Sequence, residues 1–226
     1  MKSPSPTFGH SSPVSPPKYE KFVVDIHLSG TKLLDAINAI LEIVSCESGK
    51  LDSNLKDAGI VKLVDTVVKK IAPQAIEAGV QIVNEVSDER VSVSGDEGRL
   101  QQTLHNLVSN AVKFSDKGGI VRVSMTLTEN NGLVLTIADK GIGISAEDLP
   151  RIMEPFEQAD SRLSRNYEGM GLGIPLARAM ARLHGGDIDI ESVLGQGTTV
   201  RITLPPIASS SPAKATRPPA PPNTTA

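Results

Sequence analysis

Three glycine-rich segments punctuate the second half of the chain: Gly141-Ile142-Gly143, Gly169-Met170-Gly171-Leu172-Gly173, and Gly195-Gln196-Gly197-Thr198. Glycine lets backbone approach backbone, or a ligand, more closely than any other residue does. Each segment stands between apolar-patterned stretches that alternate between helical and extended periodicity. From Leu51 onward such a chain is restricted to an α/β fold.

The elements follow from periodicity and punctuation. Lys50 to Leu55 reads as a short strand, and Ile60 to Ala78 as a helix with Pro73 as a kink and Gly79 as its stop. Val80 to Val86 and Val91 to Ser94 are extended. Asp96 is placed to cap a helix over Glu97 to Phe114. Ile120 to Thr128 and Leu133 to Ala138 alternate as strands around a turn at Asn130-Asn131-Gly132. A short helix is expected near Ala146 to Ile152, and a longer one from Gly173 to His184. The strands Asp187 to Val193 and Thr198 to Leu204 close the domain before Pro205-Pro206.

The helix ending at Phe114 carries the first chemical signal. Leu104, Leu107, Val108 and Ala111 share one face. Asn106 and Asn110 are one turn apart on another, with Lys113 further along. Amide oxygens are hard ligands for Mg2+, and an ammonium attracts phosphates, so the stripe suits a triphosphate with its metal. A solvated polar face is the other reading of the same residues. Asp139 ends a strand immediately before Gly141-x-Gly143, which points a carboxylate at whatever approaches the loop, although Asp-x-Gly is also ordinary turn chemistry. A polar stretch from Ala159 to Glu168 feeds Gly169-x-Gly171-x-Gly173 at a helix start. Free N–H groups at such a start attract phosphate, and Pro175 is tolerated in the first turn.

The remainder of the chain sets bounds. The 226 residues begin and end in Ser- and Pro-rich stretches, over 1–17 and 207–226, that read as disordered. Lys18 to Val44 forms a long amphipathic helix with Phe22, Ile26, Leu33, Ile37, Ile40 and Val44 as its stripe, and that stripe needs a partner. A net charge of -3 with no basic block argues against a nucleic-acid protein. The single Cys46 excludes an internal disulfide and fits a reducing compartment. No apolar run approaches the ~20 residues of a membrane span, so the chain as written reads as soluble and cytoplasmic, and the parent protein is open to membrane anchoring.

Taken in order, Asn106-x-x-x-Asn110-x-x-Lys113, Asp139-x-Gly141-x-Gly143, the Phe156 segment, Gly169-x-Gly171-x-Gly173 and Gly195-x-Gly197-Thr198 strongly resemble the catalytic ATP-binding domain of sensor histidine kinases. That domain is shared with gyrase, Hsp90 and MutL. The resemblance covers about Leu51 to Pro206. The segment over 18–49 resembles the second helix of the dimerisation and phosphotransfer hairpin, with wording similar to the PleC/DivJ-like cell-cycle kinases.

The resemblance implies a two-layer α/β sandwich, a mixed sheet covered on one face by three helices. It implies ATP and Mg2+ as ligands. Asn106 and Asn110 would coordinate the metal and contact phosphates, Lys113 would contact a phosphate, and Phe114 would lie against the nucleotide. Asp139 would accept a hydrogen bond from the adenine amino group, with Gly141 and Gly143 shaping that pocket and Thr198 nearby. Phe156 would anchor a mobile lid over Ala159 to Glu168. Gly169, Gly171, Leu172 and Gly173 would close over the triphosphate, and Arg165 could reach its terminal phosphate. The implied partners are a phosphoacceptor helix of a homodimeric parent kinase and, downstream, a response regulator.

The chain also departs from that pattern. None of His10, His27, His105 and His184 has the context of the accepting histidine, so the chain looks like a catalytic domain with half a hairpin. Two other functions compete: an ATP-hydrolysing clamp, and a non-catalytic adaptor that keeps the fold. The hydrolytic relatives place a glutamate where this chain has Asn106, and a carboxamide cannot act as a general base. An adaptor would be expected to have eroded glycine boxes, and these are intact.

Overall fold

The computed structural model describes residues 17–48, 56–129, 132–159 and 170–205. The chain opens with α1 (Pro17–Glu47). Across Ser29-Gly30, where the apolar stripe is interrupted, Ser29 and Thr31 donate to the carbonyls of Asp25 and His27 one turn back. The helix runs through without a break. Its C-terminal part docks Ile43 against Leu176, Ala179 and Met180. Phe22, Ile26, Leu33 and Ile37 stay exposed.

The α/β domain follows with β1 (Lys56–Gly59), α2 (Ile60–Ala78), β2 (Gln81–Asn84), β3 (Ser92–Gly95), α3 (Glu97–Phe114), β4 (Ile120–Leu127), β5 (Leu133–Ala138), α4 (Gly173–Leu183), β6 (Asp187–Val193) and β7 (Gly197–Leu204). β1 and β3 pair antiparallel as a small separate ribbon. The main sheet has the order β2-β4-β5-β7-β6. β2 runs parallel to β4. The remaining neighbours are antiparallel.

The layers follow from period two meeting period 3.6. Alternate residues of β5, namely Leu133, Leu135 and Ile137, are buried, as are Val121 and Val123 of β4 and Ile202 and Leu204 of β7. They face Leu63, Val64, Val67 and Ile71 of α2 and Leu100, Leu104, Leu107 and Val108 of α3 in one core. Ala177 and Ala181 bring α4 into that core, so three helices cover one face of the mixed sheet. This is the two-layer sandwich expected.

Local chemistry sets the element ends. Asp96 caps α3 by accepting from the Arg99 N–H at 3.1 Å. Gly79 ends α2 in the left-handed region, φ 68°, where a side chain is strained. Pro73 lies within α2, which continues to Ala78. In place of the helix expected over Ala146 to Ile152 there are turns and one 3-10 turn, Arg151–Met153. Ser145 and Asp148 bond each other's side chains and backbone there, which closes a turn instead of propagating a helix. β2 is shorter than the extended stretch expected from Val80, and β3 begins at Ser92. The strand expected over Lys50 to Leu55, the Asn130-Asn131 turn and both terminal stretches lie outside the described residues; the strand that is described begins at Lys56.

Candidate nucleotide site

One cavity of about 280 Å³ opens between the C-terminal half of α3, the end of β5 and the start of α4. Its walls are largely apolar: Leu107 and Ala111 of α3, Ile137 of β5, Ile142 and Ile144 of the following loop, and Val200 of β7. Asp139 and Thr198 supply polar groups at one end, and Asn110 and Lys113 of α3 line it too. An apolar cavity with a few fixed polar groups is the usual make-up of a small-molecule site.

The Asp139 end is held by backbone packed on backbone. A Cβ at Gly141 would overlap the Phe114 carbonyl, one at Gly143 that of Val193, and one at Gly197 that of Asp139. Gly143 also sits at φ 63°. Only glycine satisfies both demands. These close approaches permit hydrogen bonds from Ile142 N–H to the Phe114 carbonyl at 3.1 Å and from Gly195 N–H to the Ile142 carbonyl at 2.7 Å. The loop after β5 is thereby tied to both the end of α3 and the β6–β7 turn.

Asp139 is itself fixed within that frame. Its Oδ1 accepts from Gly141 N–H at 2.8 Å and from Thr198 N–H at 3.2 Å. Those bonds hold the carboxylate and leave Oδ2 to the cavity. Burial pushes the carboxyl above its ordinary range, and the two N–H groups pull it part of the way back. A half-desolvated acceptor in an apolar slot is matched to a ligand N–H donor.

At the other end α4 begins at Gly173, and its capping position, Leu172, supplies no side-chain bond. The first N–H groups of α4 therefore keep their capacity for an anion. The Asn110 carboxamide lies beside this start: a Cβ on Gly173 would stand 3.3 Å from Asn110 Nδ2. Lys113 Nζ sits 5.1 Å from the centre of the Phe114 ring. Gly171, at φ 68°, approaches the Glu157 carbonyl so closely that a Cβ would stand 2.6 Å from it. That contact joins the segment ending at Ala159 to the one beginning at Met170, both of which line the cavity.

Of the residues singled out in the sequence, Asn110, Lys113, Phe114, Asp139, Gly143, Gly171, Leu172, Gly173 and Thr198 line this cavity together. Gly141 stands behind the lining, against Phe114. Asn106, one turn back on α3, is outside the lining. Phe156 is exposed and adopts φ 68°, rare for a residue with a side chain. Arg165, Gly169 and most of the expected lid are outside the described residues. Two supports were not read from the sequence. Ser192 on β6 bonds Ile144, Gly197 and Thr198. His184 is buried at the end of α4 and accepts from Asp96 N–H at 3.0 Å, joining that end to the start of α3. The signal for Ser192 was there: it follows Ile188 and Ile190 on the inward-facing register of β6.

The family model for histidine kinase-, DNA gyrase B- and HSP90-like ATPases matches residues 95–208, which spans α3 through β7 and the whole cavity. The chain belongs to this family. It is 39% identical to the histidine protein kinase DivJ of Caulobacter vibrioides, over 83% of this chain and 31% of that protein. It is 38% identical to an uncharacterized sensor-like histidine kinase of Rhizobium meliloti, over 85% of this chain and 36% of the relative. The chain thus spans about a third of the length of both. The crystal structure of full-length ShkA in complex with AMPPNP is similar with a TM-score of 0.72 at 28% identity, over 84% of this chain and 39% of that one. The catalytic domain of the histidine kinase ThkA shares the fold, with a TM-score of 0.58 at 22% identity, over 67% of this chain and 95% of that domain.

Proposed function

We propose that this chain is the ATP-binding catalytic part of a two-component sensor histidine kinase, acting on a histidine carried by another element of its parent protein. The observation that carries this reading is the fixed carboxylate of Asp139, aimed into an apolar slot whose far end is the open start of α4 beside Asn110. A purine amino group fits the first and a phosphate tail the second. Asp139 and Thr198 would read the base while Gly141 and Gly143 keep the loop close. Asn110, Lys113 and the N–H groups from Gly173 would hold phosphates, with Gly169, Gly171 and Leu172 closing over them. Arg165 would meet the terminal phosphate, Phe114 would lie along the nucleotide, and Phe156 would anchor the lid.

Mg2+ fits the donor set. Asn110 offers a hard carboxamide oxygen at the phosphate end, with Asn106 one turn away. Among the described residues no cluster of His, Cys, Asp or Glu could hold a metal. That is in keeping with an ion held by one or two protein oxygens and substrate phosphates. When bound, Mg2+ would neutralise charge on the phosphates. The chain's own contribution is position and electrostatics: it orients the terminal phosphoryl group and supplies positive charge around it. Asn106 cannot take a proton from water, which disfavours the hydrolytic clamp.

The same reading assigns the exposed stripe of α1 to a helical partner in a homodimeric parent, and a response regulator as the later acceptor. It places the domain in the cytoplasm. Among the described residues no helix is long and apolar enough to cross a membrane. His27 is exposed on α1 and His105 is exposed on α3. The test is incubation with γ-labelled ATP, alone and with a fragment of the parent carrying the first hairpin helix. Acid-labile, base-stable label on the added fragment, and none on this chain alone, is the expected result. Label on this chain alone, lost in His27→Ala, would make His27 the acceptor and refute the reading.

A further inference from the structure

Ser192 occupies the centre of a hydrogen-bond cluster behind the base end of the cavity, and its proton inventory can be closed. A serine hydroxyl has one proton to donate and two lone pairs to accept with. The Gly197 carbonyl, 2.8 Å from Ser192 Oγ, can only accept, so that bond uses the serine proton. The Ile144 N–H, 2.8 Å away, can only donate, and takes one lone pair. Thr198 Oγ1 lies 2.9 Å from Ser192 Oγ. All three bonds form together only when Thr198 is the donor in that pair.

The direction of this one bond decides what Thr198 shows to a ligand. Its hydroxyl proton points at Ser192, so only lone pairs remain for the cavity that Thr198 lines. Its backbone N–H is committed to Asp139 Oδ1 at 3.2 Å. The N–H groups of Gly141, Ile142 and Ile144 are likewise bonded inside the protein. Asp139 as a carboxylate has no proton to give. Both polar side chains at this end of the cavity therefore present acceptors.

We infer that Ser192 is a specificity-determining positioning residue: by taking the Thr198 hydroxyl proton it gives the base end a surface whose polar side chains, Asp139 and Thr198, are both acceptors. Such a surface accepts a purine with an amino donor at its six position and rejects one with an oxo acceptor there. Ser192 touches no nucleotide in this account and acts through Thr198. The inference rests on the nucleotide reading of the cavity given above.

The test compares ATP with inosine triphosphate, which has an oxo group in place of the amino group and an N1–H in place of the N1 lone pair. Calorimetric titration of the whole chain gives the preference as a ratio of dissociation constants. In Ser192→Ala the Thr198 hydroxyl loses its acceptor and becomes able to donate to the oxo group. The ATP preference should fall by about tenfold, the size of one hydrogen bond gained and one weakened. A purely structural loss would weaken both ligands alike and leave the ratio unchanged. In a Thr198→Val background Ser192→Ala should no longer move the ratio, and Ser192→Thr, which keeps a hydroxyl, should retain it. Should Ser192→Ala not fold, Ser192→Thr and Thr198→Val carry the test: the first must keep the preference and the second must lower it. A folded Ser192→Ala with the wild-type ratio, or a drop that persists without the Thr198 hydroxyl, overturns the inference and leaves the nucleotide site standing. A wild-type chain that binds neither nucleotide removes both.

Discussion

Replacing Asp139 by Asn separates the role of this side chain in binding from its role in the fold. Oδ1 accepts from Gly141 N–H at 2.8 Å and from Thr198 N–H at 3.2 Å. An asparagine carbonyl can keep both bonds. The amide NH2 then replaces Oδ2 at the cavity and faces the ligand's own donor. What is lost is one charge-assisted hydrogen bond, about 1.5–3 kcal/mol, which is a weakening of roughly ten- to a hundredfold in ATP affinity. Working the other way, burial disfavours the charged carboxylate in the nucleotide-free protein. The substitution relieves that cost, so the variant should unfold at the same temperature as wild type or higher. Calorimetric titration with ATP and a thermal unfolding scan without it give the two readings. Unchanged ATP affinity in a folded variant would refute the role of Asp139, and a clear loss of thermal stability would refute the separation.

Asp139 also sets a pH dependence: its carboxyl titrates above the ordinary range in the folded chain, so lowering the pH through that raised value should weaken ATP binding. Over the same descent its protonation should stabilise the nucleotide-free fold, and both effects should be missing from Asp139→Asn in affinity and unfolding series. Gly143→Ala places a Cβ at φ 63° on the Val193 carbonyl; a loss of about 1–3 kcal/mol is expected, read as a lower Tm by about 2–4 °C per kcal/mol. Met180→Ala empties a fully buried position shared by α4 and α1, and denaturant unfolding should show a loss of about 2–5 kcal/mol.

The parts of the fold that were legible in the sequence are those with a chemical marker at each end. α2 and α3 carry Gly79 and Asp96 at their boundaries, and β5 and β6 alternate cleanly. The Ala146 to Ile152 segment has an apolar pattern too, but Ser145 and Asp148 satisfy its backbone locally and Pro150 has no N–H to continue a helix. The candidate site was legible where function demands an unusual residue, as with glycines that pack against carbonyls. Spacing put Asn106 and Asn110 on one stripe; the cavity lining on α3 begins at Leu107 and takes in Asn110, a depth along the helix that spacing does not encode. His184 left no sign because its partner, Asp96 N–H, is a backbone atom distant in sequence, whereas the inward-facing register of β6 marked Ser192 and only its Ile144 N–H partner was hidden. A backbone partner leaves no trace in residue identity.

The central claim is that the cavity between α3, β5 and α4 holds Mg-ATP. Calorimetric titration of this chain with a non-hydrolysable ATP analogue, with and without Mg2+, tests it most directly. One site per chain, tightened by Mg2+ and weakened at least about tenfold in Asp139→Asn, is the expected result. No binding by the folded chain, or binding that is indifferent to both Mg2+ and Asp139, would contradict it.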